Sequence, residues 1–299
     1  MGKNQRDDQH KRRLFNLKRV CIIALDALEY DLVEEFNLEN IKQREYGKID
    51  VSAFKDLATP VIWASFISGL EPEKHGINIQ EIPKWRNPII DKLRQLSIKI
   101  KLDRFKGKGK ILRKLGFERR AFYEKAVEEF RNRKIETLFS IIPNARALSV
   151  PPYQKWIDRE TQLLLMDAVE KKEKRSIFEE HIWNIFELKR EECLNIISEG
   201  RWNLFMVHFM FTDLLGHVYA GDLAKMFGVY IKADQLVEEI KKIIKDETLL
   251  LVVSDHGMKT FGKGTYGEHS DHGFYSSNVR LDLTNPKITD FFDLIVKTN

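Results

Sequence analysis

Asp213 and His217 stand four residues apart in Thr212-Asp-Leu-Leu-Gly-His217. That spacing brings a carboxylate and an imidazole onto one turn of helix, where both can bind one cation. Asp255 and His256 are adjacent in Ser254-Asp-His-Gly-Met258, which suits a loop that turns successive side chains toward a common point. The glycine-rich segment Gly262 to Gly273 adds His269 and His272, and glycines let a backbone approach a metal or a phosphate closely. Asp26 stands at the end of an apolar run. Mixed Asp and His donors favour Zn²⁺, with Mn²⁺, Fe²⁺ or Co²⁺ as alternatives, over Mg²⁺ or Ca²⁺. Three aspartates with three of these histidines are more than one tetrahedral ion needs and suffice for two divalent transition ions.

Thr59-Pro60 opens an apolar run of helical spacing that closes at Ser68-Gly69. The pattern predicts a helix with Thr59 at its N-cap and Pro60 at its first position. A capping Thr needs no chemistry to explain it. A helix start is also where backbone N–H groups and the helix dipole hold a phosphoryl group. A threonine hydroxyl becomes a competent nucleophile when a dication lowers its pKa. Two ions about 4 Å apart can clamp the attacking and leaving oxygens of an in-line phosphoryl displacement. His75 and His208 match no ligand spacing and read as structural, one in a turn and one within a strand.

Five segments read as strands: Arg19 to Leu25, Gly47 to Phe54 nearer an edge, Ala145 to Val150 in the core, Asn203 to Phe211, and Thr248 to Ser254. Helical spacing runs over Ala121 to Arg133, Glu136 to Ile142, Arg159 to Ser198 with a charged break at Lys171 to Arg175, and Ala220 to Lys245. The alternation predicts an α/β fold, a mostly parallel central sheet with helices on both faces. Asp26, Asp213 and Asp255 each follow a predicted strand. Ligands gather at that edge of such sheets.

The chain has 299 residues, 43% hydrophobic and 32% charged, as in ordinary globular proteins. Its formal charge of +5 is unevenly spread, because Lys84 to Arg120 holds fourteen Lys or Arg against three acidic residues. We expect a flexible tail at 1–17, one domain over 18–299, and a basic helical insertion or cap at about 81–134. Such a cap would attract large or acidic substrates, or lie on a membrane surface. No nucleic-acid recognition signature accompanies the charge. Cys21 and Cys193 read as buried thiols. The N-terminal stretch lacks an apolar signal region, and a cytoplasmic location is the expectation.

In order and spacing, these fragments resemble the alkaline phosphatase superfamily and, within it, the type I phosphodiesterase and nucleotide pyrophosphatase group. The carriers are Asp26, Thr59-Pro60, Ser68-Gly69, His75-Gly76-Ile77, Thr212-Asp213-x-x-Gly216-His217, Ser254 to Met258 and His272-Gly273. The resemblance covers Arg19 to Ile77 and Glu136 to Ser277, and leaves the basic segment unmatched. It implies an alkaline phosphatase-like fold with one ion on Asp213, His217 and His272, and another on Asp26, Asp255, His256 and the Thr59 oxygen. His269 lacks the following glycine and is the weaker match. Thr59 would attack a phosphate ester and form a phosphothreonine that is then hydrolysed. Ile62 stands where the animal nucleotide pyrophosphatases carry an Asn, and Trp63 follows, so an apolar pocket lip is expected and nucleotide specificity is not implied. The alternatives are a phosphomutase or other phosphoryl transferase, and a basic anion-binding protein on a degenerate phosphatase scaffold.

Overall fold

The computed structural model describes residues 17–77, 122–260 and 266–299. The tail, and the basic insertion as far as residue 121, lie outside the described residues. Strands β1 (Arg19–Leu25), β2 (Glu45–Asp50), β3 (Ala145–Leu148), β4 (Leu204–Phe209), β5 (Thr248–Ser254) and β8 (His272–Ser277) form one sheet in the order β2-β8-β5-β1-β4-β3. Strands β6 (Gly257–Thr260) and β7 (Gly267–Ser270) form a separate hairpin. Strand β8 runs antiparallel to both neighbours, and the other pairings within the six-stranded sheet are parallel.

Among the described residues, the helices of six or more residues are α1 (Tyr30–Glu35), α2 (Thr59–Ser68), α3 (Phe122–Asn132), α4 (Arg159–Glu170), α5 (Arg175–Glu199), α6 (Phe211–Tyr219), α7 (Leu223–Ile243) and α8 (Asp290–Thr298). They cover both faces because the central strands are apolar on both. In β1, Cys21, Ile23 and Leu25 pack with α5, α6 and α7, whereas Val20, Ile22 and Ala24 pack with α2 and α8. Strand β4 alternates the same way: Phe205, Val207 and Phe209 face α5, and Leu204 and Met206 face α2. That parity places the His208 side chain on the α2 face.

Three expectations change. Thr59 is the first residue of α2, not its cap: Ala58 takes the N-cap position, and no side chain caps the helix. Ile62 and Trp63 are fully buried core residues, not a pocket lip. Strand β3 is shorter than expected and only partly buried, because it pairs on one side alone and forms the sheet edge. The end of α2 is as expected, with Gly69 in the left-handed region (φ 66°). Among the described residues, no helix is long and apolar enough to cross a membrane.

Candidate active site

Asp26 lies just beyond β1, Asp255 and His256 just beyond β5, and Asp213 and His217 on α6 just beyond β4, so parallel pairing alone delivers them to one edge of the sheet. The tight loop after β1 puts Ala27 at a φ of 56°, a left-handed conformation held by its surroundings at a functional edge. Leu28 N donates to Ser254 Oγ at 2.8 Å, and Ser254 Oγ donates to His256 O at 2.7 Å, stitching the loops after β1 and β5 together.

Three imidazoles converge. His217 Nδ1 faces Gly267 O at 3.4 Å, His256 Nδ1 faces Gly257 O at 3.2 Å, and His269 Nδ1 faces Leu57 O at 2.7 Å. A carbonyl oxygen only accepts, so each ring carries an N–H on Nδ1 and turns its Nε2 inward. His217 Nε2 and His269 Nε2 each lie 3.3 Å from Asp213 Oδ1. His256 Nε2 lies 3.3 Å from Asp255 Oδ2 and 3.6 Å from Asp26 Oδ1. Two sets of donor atoms, Asp213 with His256 and His269, and Asp26 with Asp255 and His256, each fall within 4.8 Å of one another. Asp213 Oδ1, Asp255 Oδ2 and His256 Nε2 are buried with no hydrogen-bond partner among the described residues. Buried carboxylate oxygens and an imidazole nitrogen left without hydrogen-bond partners are what a bound cation satisfies. The donor set fits divalent metal.

Electrostatics follow from this crowding. Burial, with the charges of Asp255 and Asp213, raises the Asp26 carboxyl well above its ordinary range. Burial and the Asp213 charge raise Asp255 to about 7. Burial also acts to raise Asp213, but His217 and His269 outweigh it and hold that carboxyl well below the usual range. Asp213 in turn raises His217 to about 9, and burial with the neighbouring His269 lowers His256 to about 3.

Thr59 Oγ1 donates to Asp26 Oδ1 at 3.4 Å, so the predicted nucleophile stands against one candidate ligand at the start of α2. Of the amides in that first turn, Val61 and Ile62 donate to Ala58 O and Pro60 has none, which leaves the helix dipole and the Thr59 N–H to face an anion.

The structure brings together Asp26, Thr59, Asp213, His217, Asp255 and His256 and does not bring His272. His272 Nε2 instead pairs with Glu29 Oε1 at 2.7 Å, and Ser270 Oγ donates to the other Glu29 oxygen at 2.6 Å. The β6–β7 hairpin explains the exchange. Residue 269 lies opposite Met258 in its register, and the hairpin sits against α6 so closely that a Cβ at Gly267 would stand 2.6 Å from Gly216 O. The glycines at 216 and 267 thus let His269 reach Asp213, while His272, as the first residue of β8, turns to Glu29.

His208 was missed as a site neighbour. It is fully buried, and its Nε2 donates to Asp26 Oδ2 at 2.9 Å, fixing the carboxylate that faces Thr59. Its ring meets Trp63 edge-on at 5.5 Å, and Lys189 Nζ donates to its carbonyl at 3.0 Å. The available signal was strand parity: two residues after Met206, a histidine on the α2 face has only the end of β1 beside it. His75 is structural as expected, with Nε2 on Ser65 Oγ at 3.0 Å and Nδ1 accepting from Ile77 N at 3.1 Å.

A mostly parallel sheet with helices on both faces and this cluster at its carboxyl edge is the alkaline phosphatase-like fold that the sequence leads one to expect. Residues 20–270 match the type I phosphodiesterase / nucleotide pyrophosphatase family, and the chain belongs to it. Among curated relatives, GPI ethanolamine phosphate transferase 3 of Saccharomyces cerevisiae is 38% identical over 65 residues, 22% of this chain and 6% of that protein. The Homo sapiens catalytic subunit is 30% identical over 83 residues, 28% of this chain and 7% of that one. The chain therefore spans a small fraction of these relatives. Among solved structures, murine ectonucleotide pyrophosphatase/phosphodiesterase 5 aligns at 17% identity with a TM-score of 0.42, over 82% of this chain and 58% of that one. The alkaline phosphatase of the Antarctic bacterium TAB5 aligns at 12% identity with a TM-score of 0.49, over 94% and 98%.

Proposed function

We propose that this chain cleaves phosphate esters, phosphodiesters foremost, with Thr59 as the nucleophile. Two divalent transition ions, Zn²⁺ matching the donors best, would be held by Asp213, His217 and His269 and by Asp26, Asp255 and His256. The observation that carries the reading is the convergence of three Nε2 atoms on buried carboxylates beside Thr59 Oγ1. Bound cations supply positive charge that lowers the pKa of a nearby hydroxyl and neutralises phosphoryl oxygens. Asp26 accepts the Thr59 hydrogen bond and orients Oγ1, and His208 fixes Asp26 in turn. Attack by Oγ1 forms the phosphothreonine bond as the ester's alcohol oxygen leaves, and water then releases the phosphoryl group.

The relatives named as ethanolamine phosphate transferases favour a second reading, in which the phosphothreonine passes to an alcohol instead of water. One assay separates the two: turnover of bis(p-nitrophenyl) phosphate with and without added ethanolamine, on wild type and Thr59→Ala. The expected result is a loss of at least about 10³-fold in Thr59→Ala. Undiminished turnover in that variant would overturn the nucleophile. A new phosphoethanolamine ester among the products would establish transfer.

A further inference from the structure

Beside the cluster, beyond the carboxyl ends of β3 and β4, lies a cavity of about 210 Å³. Phe186, Phe209, Phe211, Ile182 and Leu214 give it apolar walls, and Lys155 and Lys189 both line it, Lys189 from α5 among the aromatic rings. An apolar cavity of about 150 Å³ is enough to take up benzene, so this one has room for a substituted ring or a chain of about six carbons. Its lining runs next to the reacting centre in the chain: Leu214 follows Asp213, Phe209 follows His208, and the His208 carbonyl that holds Lys189 Nζ belongs to the residue that holds Asp26.

Helix α5 reverses the ordinary pattern here. Leu188 is 70% exposed, while the next residue, Lys189, turns its ammonium inward, 5.8 Å from the centre of the Phe209 ring. A helix that only packed would exchange the two. Burial lowers the Lys189 amine to about 8, against a smaller opposing effect of Glu192, so holding the cation there has a cost. An ammonium has three donors, and His208 O takes one. The cavity's carboxylate, Asp158, caps α4 by accepting from Thr161 N at 2.7 Å.

We propose that this cavity is the subsite for the non-reacting part of the phosphoester: an apolar chain or ring of about six carbons carrying a carbonyl or carboxylate oxygen that accepts from Lys189. The assignment rests on the reading of the adjacent cluster as a phosphoryl site, and a binding measurement separates the two. Titration calorimetry of the full chain with sodium hexanoate and sodium acetate should show hexanoate bound at least about tenfold more tightly, since each buried methylene contributes roughly fourfold. Ile185→Trp, which fills the cavity from α5, should erase that ratio. Lys189→Met should weaken hexanoate while leaving hexanol binding intact. Equal affinity of the wild type for hexanoate and acetate overturns the proposal without recourse to any variant. In turnover, p-nitrophenyl hexyl phosphate should exceed p-nitrophenyl methyl phosphate in kcat/KM by the same ratio, and equal values would overturn the subsite. Selective hexanoate binding with neither ester cleaved would keep the cavity as a ligand site and overturn the phosphoester reading instead.

Discussion

The two halves of the cluster hold their charges in opposite ways. Around Asp213, two imidazoles, each partly open to solvent, face one carboxylate, so that half has its countercharge in its own side chains. Around Asp26 and Asp255, two carboxylates and the His256 ring are all fully buried, and among the described residues the cationic influence on them is that of His269, stacked on His256 from the other half. The first half is at ease as a protein structure. The second is a concentrated negative site whose neighbours, including the Thr59 hydroxyl, are arranged for a cation.

The sharpest break of this comparison removes the ligand that the structure exchanges. His269→Ala should reduce bound Zn²⁺ to about one per chain and lower esterase turnover at least about 10³-fold, whereas His272→Ala should retain about two ions. Metal analysis of both variants decides, and loss of an ion in His272→Ala alone would restore the sequence expectation.

Next comes the buried half without metal. Asp255 rises to about 7 in the folded chain, so its contribution to stability is full below its unfolded pKa near 3.8 and is lost as pH climbs through 7. Asp255→Asn in chelator should therefore be more stable than wild type by about 3 kcal/mol at pH 8, with the gap closing by pH 4. Zn²⁺ should reverse the order, and denaturant titration reads both. A smaller effect is expected at His208, where His208→Ala should weaken metal binding about 10- to 100-fold and His208→Gln should recover part of it. The smallest lies outside both halves. Lys189 is held near 8, below its unfolded value of 10.5, so wild type should gain on Lys189→Met by about 1–2 kcal/mol between pH 8 and 10.5, after discounting for partial solvent access.

Much of this was legible because it depends on period and punctuation. Apolar runs ending in Asp identified the parallel strands and the edge they share, and Thr59, Asp26, Asp213 and Asp255 meet there. Strand β8 escaped because its buried residues include Ser276 and Ser277, which carry no apolar signal and are satisfied by partners such as Ile41 O and Gln43, far away in sequence. His269 and His272 could not be separated by spacing, since the choice depends on how a glycine-lined hairpin folds onto α6. Glu29, which claims His272, gives no sign of that role in its local sequence.

The position of β1 has a consequence during synthesis. Among the described strands it is made first, yet its partners in the sheet are β4, which begins at Leu204, and β5, which begins at Thr248. At roughly 5–20 residues per second, the ribosome extends the chain for roughly 10–40 s before β4 exists to pair with RVCIIAL. Throughout that interval an apolar segment with two unpaired edges waits for its neighbours, which makes it a natural client for chaperones that shelter nascent strands.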